Sequence, residues 1–169
     1  PYICSNTKDS LHPHVIVQFD KGTSVKAGDI DIFTSQANRI IYHHDDDNIA
    51  MNLNESFSDL ITDSSVFLIS GFNAMTSEAL LLKRLESLLR IMAKLPEDAL
   101  VYYEDGGYHE PKFRHLIFRT LASKLNVVSL NEDELQAQLG RELDLLDVVQ
   151  IKEALVDLQK FISVPFIVV

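Results

Sequence analysis

The sequence has little cysteine and a shortage of positive charge, and it contains no long apolar run. Its one cysteine, Cys4, excludes an internal disulfide and a thiolate metal cluster, and it fits a reducing compartment. Acidic residues outnumber basic ones by 25 to 15, and the net charge of −10 disfavours nucleic acid and anionic membranes as partners. No apolar run approaches the roughly 20 residues of a membrane span. With no visible secretion signal either, we expect a cytoplasmic protein.

The sequence also lacks the motifs that mark several common enzyme classes. It has no Gly-x-x-x-x-Gly-Lys-Ser/Thr, no Gly-x-Gly-x-x-Gly, no Gly-x-Ser-x-Gly and no His-Glu-x-x-His. These absences make a Walker-type nucleotidase, a dinucleotide dehydrogenase or an α/β-hydrolase a poor explanation of the chain.

The residues that are present suffice for a folded domain. Hydrophobic residues make up 46% of the 169 residues and charged residues 24%, which is typical of one globular domain with at most a small appendage. From about Leu11 to about Tyr42, β-type runs follow one another without helices, at 14–19, 30–33 and 39–42. This arrangement predicts an antiparallel patch.

From about Ala50 onward, predicted helices and strands alternate. Continuous apolar runs predict buried strands at 66–69, 100–103, 127–130 and 166–169. Helices are predicted at 51–61, from 76 or 77 to about 95, from 110 to about 125, at 132–139 and at 149–162. Alternation of this kind predicts an α/β fold with a doubly wound, mainly parallel sheet and right-handed crossovers.

Ligands of such sheets bind where the strands end, which draws attention to the segment after the third apolar strand. Asn131 and Glu134 open a helix there. A carboxylate one turn into a helix can hold a hydrated Mg²⁺ together with substrate phosphates. The commoner explanation of the same pattern is an Asn N-cap with an acidic first turn.

The ends of the two preceding strands offer further candidates. Glu104 and Asp105 could join Glu134 around the same cation, or they could form only a solvated turn. Gly71 ends the most apolar strand, where it could let a ligand approach the backbone or could simply make the turn.

Other polar features are open to two interpretations. The segment 43–47, His-His-Asp-Asp-Asp, is interpreted as a polar loop without metal because adjacent side chains diverge. Lys21 and Arg39 flank predicted strands. They could meet an anionic group on a substrate, Arg39 through two parallel hydrogen bonds, or they could be solvated surface charges. Cys4 has no visible partner base, so we expect no nucleophilic role for it.

Five segments, taken in order, carry a resemblance. They are the strand 14–19 with its basic turn at 21–22; 37–41, similar to an Asn-Arg-Phe-Ile segment; the Asp- and Asn-bearing loop 44–48; 69–75, similar to a Ser-Gly-Leu-Gln segment; and 129–135, similar to Leu-Asn-Glu-x-Glu-Leu. From about His14 to about Leu135 the chain thus resembles the ADP-dependent glucokinases and phosphofructokinases, which are ribokinase-like proteins.

The resemblance implies a division of the chain and a metal site. Residues 1–45 would be part of a small β lid, and residues 46–169 part of the large α/β domain that binds nucleotide and metal. Asn131 and Glu134 would act on Mg²⁺, or a similar divalent cation, and its water shell. The family's His-x-Glu falls at 102–104, where Glu104 is kept as a further metal residue but Tyr102 replaces the histidine.

The resemblance also implies substrates. Lys21 and Arg39 would lie near the sugar or its phosphate, and Gly71 and Asn73 would belong to a substrate-binding segment. The implied reaction is a glycolytic step in which the β-phosphoryl group of ADP passes to glucose or fructose 6-phosphate, leaving AMP. The family's catalytic Gly-x-Gly-Asp is absent from the sequence, whose ends resemble cuts through a longer chain. We therefore expect that motif beyond Val169, and we expect the chain alone to be inactive.

Two alternatives stay open. The protein could be a non-catalytic ribokinase-like module for binding or regulation, which the replacement at Tyr102 favours. It could instead be an unrelated receiver-like domain that uses an acidic pocket for Mg²⁺, although the strands predicted at 11–42 have no place in that fold.

Overall fold

A computed structural model describes residues 15–42, 46–108 and 110–169 of the chain. The chain divides into two compact units, one of which includes Asp47–Val169, while the other contains the strands of 15–42. Cys4 and the His-His-Asp part of the segment 43–47 lie outside the described residues. The assignment of the units as lid and large domain stays a prediction.

Four strands make up the described part of the smaller unit. They are β1 (Val15–Phe19), β2 (Ser24–Ala27), β3 (Ile30–Phe33) and β4 (Asn38–Tyr42). β1 pairs antiparallel with β4, and β2 pairs antiparallel with β3 as a hairpin. The predicted antiparallel patch is confirmed. β2 escapes prediction because its four residues, Ser-Val-Lys-Ala, form too short a pattern.

The larger unit is built on a parallel four-stranded sheet. In the spatial order β5-β6-β7-β8, its strands are Val66–Ile69, Leu100–Glu104, Val127–Ser129 and Phe166–Val168. All three neighbouring pairs are parallel. The predicted α/β fold with a parallel sheet is confirmed, and it places the ends of β5, β6 and β7 side by side at one edge.

The described residues form five α-helices. None of these helices is both long enough and apolar enough to cross a bilayer. They are α1 (Asp46–Ala50), α2 (Glu78–Met92), α3 (Pro111–Leu121), α4 (Glu132–Leu139) and α5 (Val148–Ile162). Short 3-10 helices lie at Glu55–Asp59, Phe72–Ala74 and Ala122–Lys124. Local chemistry sets the starts: the Ser77 side chain caps α2, and Pro111 opens α3, where its missing N–H costs nothing.

The core lies between the sheet and α2, α3 and α5. The strands of this sheet lie side by side in chain order. With right-handed crossovers, this order places all the connecting helices on one face of the sheet. Side chains from that face, Ile69, Tyr103 and Val128 among them, are buried against apolar residues of the three helices. The apolar residues at helical spacing in α2, Leu81 and Leu85 among them, therefore form the face of the helix that packs in the core.

The prediction of an α-helix at 51–61 is wrong. α1 ends at Ala50, and Met51 has a φ of 38°, a left-handed conformation that interrupts a helix. The chain then forms the 3-10 helix Glu55–Asp59, which Asn54 caps by accepting a hydrogen bond from the Ser56 N–H at 3.1 Å. A local side-chain-to-backbone hydrogen bond thus offers this segment an alternative to an α-helix.

Candidate functional site

Three loops meet where β5, β6 and β7 end. The loop after β5 carries Asn73, and the loop after β6 carries Gly106. A Cβ atom placed on Gly106 would lie 2.8 Å from the Asn73 Cγ atom, so these two loops are in close contact. The Asp105 N–H donates to the Ser129 carbonyl at 2.8 Å, which ties the loop after β6 to β7. The segment after β7 then begins α4 at Asn131.

α4 begins with a reciprocal pair of hydrogen bonds between Asn131 and Glu134. The Glu134 N–H donates to Asn131 Oδ1 at 2.9 Å, and the Asn131 N–H donates to Glu134 Oε2 at 2.8 Å. This is a capping box, which satisfies backbone donors that the first turn of a helix leaves free. The capping interpretation of these residues is confirmed. The box uses only one of the two Glu134 carboxylate oxygens.

Asn131 and Glu134 also line a cleft with a volume of about 440 Å³. The rest of its lining comes from the loop after β6, from α3 and from α4: Gly107, Tyr108, Pro111, Arg114, Asp133 and Ala137. The α4 side is acidic, through Asp133 and Glu134, and Arg114 supplies positive charge from α3. The structure therefore brings Asn131 and Glu134 together in a concave setting, the shape that small-molecule sites have.

A buried ion pair lies under this cleft. Arg114 Nε is 2.8 Å from Asp105 Oδ2, and the two side chains are only 6% and 0% exposed. Arg114 Nη2 donates to the Gly106 carbonyl at 2.8 Å. The guanidinium carbon lies 5.2 Å from the centre of the Tyr108 ring, and the Tyr108 hydroxyl shares a hydrogen bond with that of Tyr103. The solvated-turn interpretation is thus wrong for Asp105, because its carboxylate is buried beside the Arg114 guanidinium.

Burial and neighbouring charges act on the carboxylate of Asp105. Burial raises the pKa of Asp105 to about 6; the Arg114 guanidinium opposes that rise, and the negative charge of Glu134 adds to it. Burial likewise raises the pKa of Tyr108. Three carboxylates, Asp105, Asp133 and Glu134, thus accompany one guanidinium in this part of the molecule. An excess of negative charge favours a cation, or an anion that arrives with one.

Glu104, the third predicted metal residue, is placed differently. It ends β6 opposite Ser129 of β7, it is exposed, and it does not line the cleft. Because side chains alternate along a strand, Glu104 and Tyr102 lie on the sheet face opposite to Tyr103. Within 15–42, 46–108 and 110–169, no three His, Cys, Asp or Glu side chains are grouped so as to hold a metal ion.

The donors in the cleft fit one kind of cation site. Glu134 and Asn131 offer hard oxygen donors, and Mg²⁺ is usually bound through one or two carboxylates, retained waters and substrate phosphates. The cleft therefore suits a hydrated Mg²⁺ that arrives with a phosphorylated ligand. It does not suit a cation enclosed by protein ligands alone.

Gly71 and Asn73 lie in the loop after β5. Gly71 has a φ of 89°, and a Cβ atom there would lie 3.2 Å from Met51 Cε, so both the backbone and the space favour glycine. Asn73 belongs to the short 3-10 helix that follows and is half-buried against Gly106. Their predicted contacts with a substrate stay predictions.

Lys21 and Arg39 belong to the other unit, and both are exposed. Lys21 lies in the turn after β1, and Arg39 lies in β4 opposite Gln18 of β1. Lys21 thus follows one strand of an antiparallel pair, and Arg39 lies in the other strand. Their predicted contacts with a sugar or a phosphate stay predictions as well.

Sequence reasoning missed Arg114, although a signal for it exists. Arg114 precedes Ile117, Phe118 and Leu121 by three, four and seven residues, which places it on the apolar face of α3. An arginine on such a face must be paired or must reach the surface. The spacing predicts a buried cation, but it does not identify Asp105, nine residues earlier, as the partner.

Comparison with known proteins yields a family and a fold. A model of the ADP-specific phosphofructokinase/glucokinase conserved region matches residues 3–155. No curated protein sequence matches the chain significantly. One similar solved structure is an ADP-dependent kinase complex with fructose-6-phosphate and ADPβS, which has a TM-score of 0.69 and 15% identity over 95% of this chain and 39% of that chain.

Two further structures have the same fold. The last common ancestor of ADP-dependent phosphofructokinases from Methanosarcinales gives a TM-score of 0.64, with 17% identity over 94% of this chain and 37% of that chain. A hypothetical ADP-dependent phosphofructokinase from Pyrococcus horikoshii OT3 gives 0.59, with 17% identity over 94% and 40%. The chain thus spans about two fifths of the length of these proteins.

Proposed function

Because the chain belongs to the ADP-specific phosphofructokinase/glucokinase family, we propose that it is the metal- and nucleotide-binding part of a sugar kinase. The observation that carries the proposal is the cleft at the start of α4, where Asn131 and Glu134 meet Tyr108 and Arg114. Its position beyond the carboxyl ends of parallel strands is where ligands of open α/β sheets bind.

The proposed reaction is transfer of the β-phosphoryl group of ADP to a hydroxyl of glucose or fructose 6-phosphate, leaving AMP, as a glycolytic step. A similar structure in complex with fructose-6-phosphate and ADPβS supports this choice of donor and acceptor. Such transfers depend mainly on positioning and on neutralising charge, so a cleft with fixed walls is the feature they need most.

In this proposal Glu134 and Asn131 hold Mg²⁺ and its water shell, Glu134 through the carboxylate oxygen that the capping box leaves over. Bound Mg²⁺ would neutralise charge that develops on the phosphoryl oxygens. Glu104 does not line the cleft, so its proposed role is limited to the outer water shell of the cation. None of the described residues is proposed as the general base that deprotonates the sugar hydroxyl.

The sugar side is assigned to the other predicted residues. Gly71 and Asn73 contact the substrate from the loop after β5, and Lys21 and Arg39 contact the sugar or its phosphate. Residues 1–45 act as a lid whose closure excludes water and so limits hydrolysis of ADP.

A second candidate is a ribokinase-like module that binds the nucleotide without catalysis. Two observations favour it: Tyr102 stands where the family's histidine is expected, and Glu104 does not line the cleft with Glu134. This candidate predicts nucleotide binding without turnover.

The experiment is an assay of AMP formation from ADP and Mg²⁺ by the whole natural polypeptide, with glucose and fructose 6-phosphate tested separately. We expect AMP with one acceptor, and a loss of about 10–100-fold in Glu134→Gln. Glutamine keeps an acceptor for the capping box but removes the charge. Glu132→Gln, on the same turn of α4, is the matched control and should stay within about twofold of wild type, an effect too small to be a lost metal ligand.

The outcomes separate the two candidates. Turnover that depends on Glu134 supports the kinase. Tight Mg²⁺-dependent ADP binding without AMP formation supports the non-catalytic module. Turnover that is indifferent to Glu134→Gln would overturn the assignment of the cleft.

A further inference from the structure

Arg114 makes a backbone hydrogen bond in addition to its ion pair. Its Nε faces Asp105 Oδ2 and its Nη2 donates to the Gly106 carbonyl, both at 2.8 Å. One planar guanidinium therefore joins a side chain and the backbone of the next residue. Lysine could not reproduce this two-pronged contact, since an ammonium group is a single point of charge.

Stability alone is a weak explanation of the pair. Removing both charges from water carries a desolvation cost that can match their mutual attraction, so apolar residues of similar volume often stabilise a protein as well. In some proteins a buried polar or ionic group instead contributes a defined geometry, and that is the role we consider for this pair. The functional question is therefore which part of the molecule Arg114 and Asp105 hold in place.

The pair holds the loop that follows β6. Asp105 is tied to β7 through the Ser129 carbonyl, and Gly106 is held by Arg114. On the other side Gly106 has no room for a Cβ atom because Asn73 lies against it. This loop leads directly to Gly107 and Tyr108, which line the cleft together with Glu134.

The charged residues near this loop belong to the same cleft. The negative charge of Glu134 on α4 acts on Asp105, Asp133 lines the same cleft, and Arg114 is the cation among the residues that line it. Arg114 therefore pairs with one carboxylate and lines the same cleft as a second carboxylate, Glu134, which the proposed metal would use. The planar shape of Arg114 affects the position of the loop, and its positive charge affects the electrostatics of the cleft.

We propose that Arg114 is a positioning residue for the metal–nucleotide complex: with Asp105 it fixes the loop 105–108, so that the part of the cleft lined by Gly107 and Tyr108 is formed before the ligand arrives. This rests on the proposed function. Preformed walls matter because a site that must be ordered on binding loses affinity to the ordering.

The test is calorimetric titration of the whole natural polypeptide with ADP in the presence of Mg²⁺. Arg114→Lys keeps the charge but removes the two-pronged contact. Gly106→Ala keeps both charged side chains but places a Cβ atom 2.8 Å from the Asn73 Cγ atom, so that the loop or the Asn73 side chain must shift. Arg119→Lys, an exposed change on the same helix, is the matched control. Thermal unfolding of each variant shows the temperature range in which it is fully folded, and affinities are compared only there.

We expect ADP affinity about tenfold weaker or more in Arg114→Lys and Gly106→Ala, and within about twofold of wild type in Arg119→Lys. A role in stability alone would lower the unfolding temperature and leave the affinity of the folded variants at the wild-type value, which would overturn the inference. Where Arg114→Lys does not fold, Gly106→Ala decides by the same comparison. If the wild type itself does not bind ADP with Mg²⁺, the proposed function fails first and the inference fails with it.

Discussion

The two units of the chain differ in how far their apolar side chains are exposed. In β1 to β4 no described residue is buried, and apolar side chains such as Ile32 and Phe33 are 54% and 67% exposed. In the larger unit, residues of the same type fill a core in which Leu81, Ile117 and Leu158 have no exposed surface. A β-type run in a sequence therefore does not tell whether its strand is covered.

The difference lies in what accompanies the strands. Each crossover of the parallel sheet brings a helix with an apolar face, which covers one face of the sheet. Side chains on the other face, such as Leu68 at 60%, stay exposed. The antiparallel strands are joined by turns, which bring backbone hydrogen bonds but no covering layer. Isolated two-stranded ribbons are marginal in water, so the unfolding free energy should reside in the larger unit.

Core truncation should produce the largest contrast between the units. Leu85→Ala removes a side chain that is 1% exposed in α2, and we expect it to lower the unfolding free energy by about 2–5 kcal/mol. Ile32→Ala in β3 should cost about 1 kcal/mol or less. Urea denaturation measures both, and Leu82→Ala, at a 42% exposed position of α2, controls for helix propensity. Equal losses at Leu85 and Ile32 would contradict the contrast.

The capping box of α4 should show a medium effect. Asn131→Ala removes the acceptor for the Glu134 N–H, and we expect it to cost about 0.5–2 kcal/mol of stability. Asn131→Asp keeps an acceptor and should change little. If the alanine variant lost nucleotide binding but no stability, the box would be a minor feature of the fold and Asn131 chiefly a ligand residue.

The smallest effect should come from the cap of α5. Hydrogen bonds from the backbone N–H groups of Gln150 and Val149 lower the pKa of Asp147. A lowered folded pKa gives stabilisation that is present above the unfolded pKa of about 3.9 and is lost as the pH falls through the folded pKa. The stability advantage of wild type over Asp147→Asn should therefore shrink below about pH 4. An advantage that stays constant from pH 7 to about pH 3 would be inconsistent with a titrating cap.

Much of the larger unit could be predicted because its signals are local. The apolar runs of β5 to β8, and the residues Ser77, Pro111 and Asn131 that open helices, act within a few positions of the chain. The helix predicted at 51–61 fails because the left-handed Met51 and the cap at Asn54 are equally local but compete with apolar spacing. Periodicity alone does not settle such a competition.

The site was predictable only in part, for a different reason. Asn131 and Glu134 are three residues apart, and one motif identifies both. Arg114 and Asp105 meet across a loop and the start of a helix, and the contact between Asn73 and Gly106 joins segments that follow different strands. Contacts of this kind depend on how the strands are ordered, which no short motif records.

The most direct test of the central claim is calorimetric titration of the whole natural polypeptide with ADP, with and without Mg²⁺, in wild type and Glu134→Gln. We expect binding that requires Mg²⁺ and that weakens about tenfold or more in the variant, equivalent to ~1.4 kcal/mol. Binding that is the same without Mg²⁺, or the same in Glu134→Gln, would contradict the assignment of the Asn131–Glu134 cleft as the metal–nucleotide site.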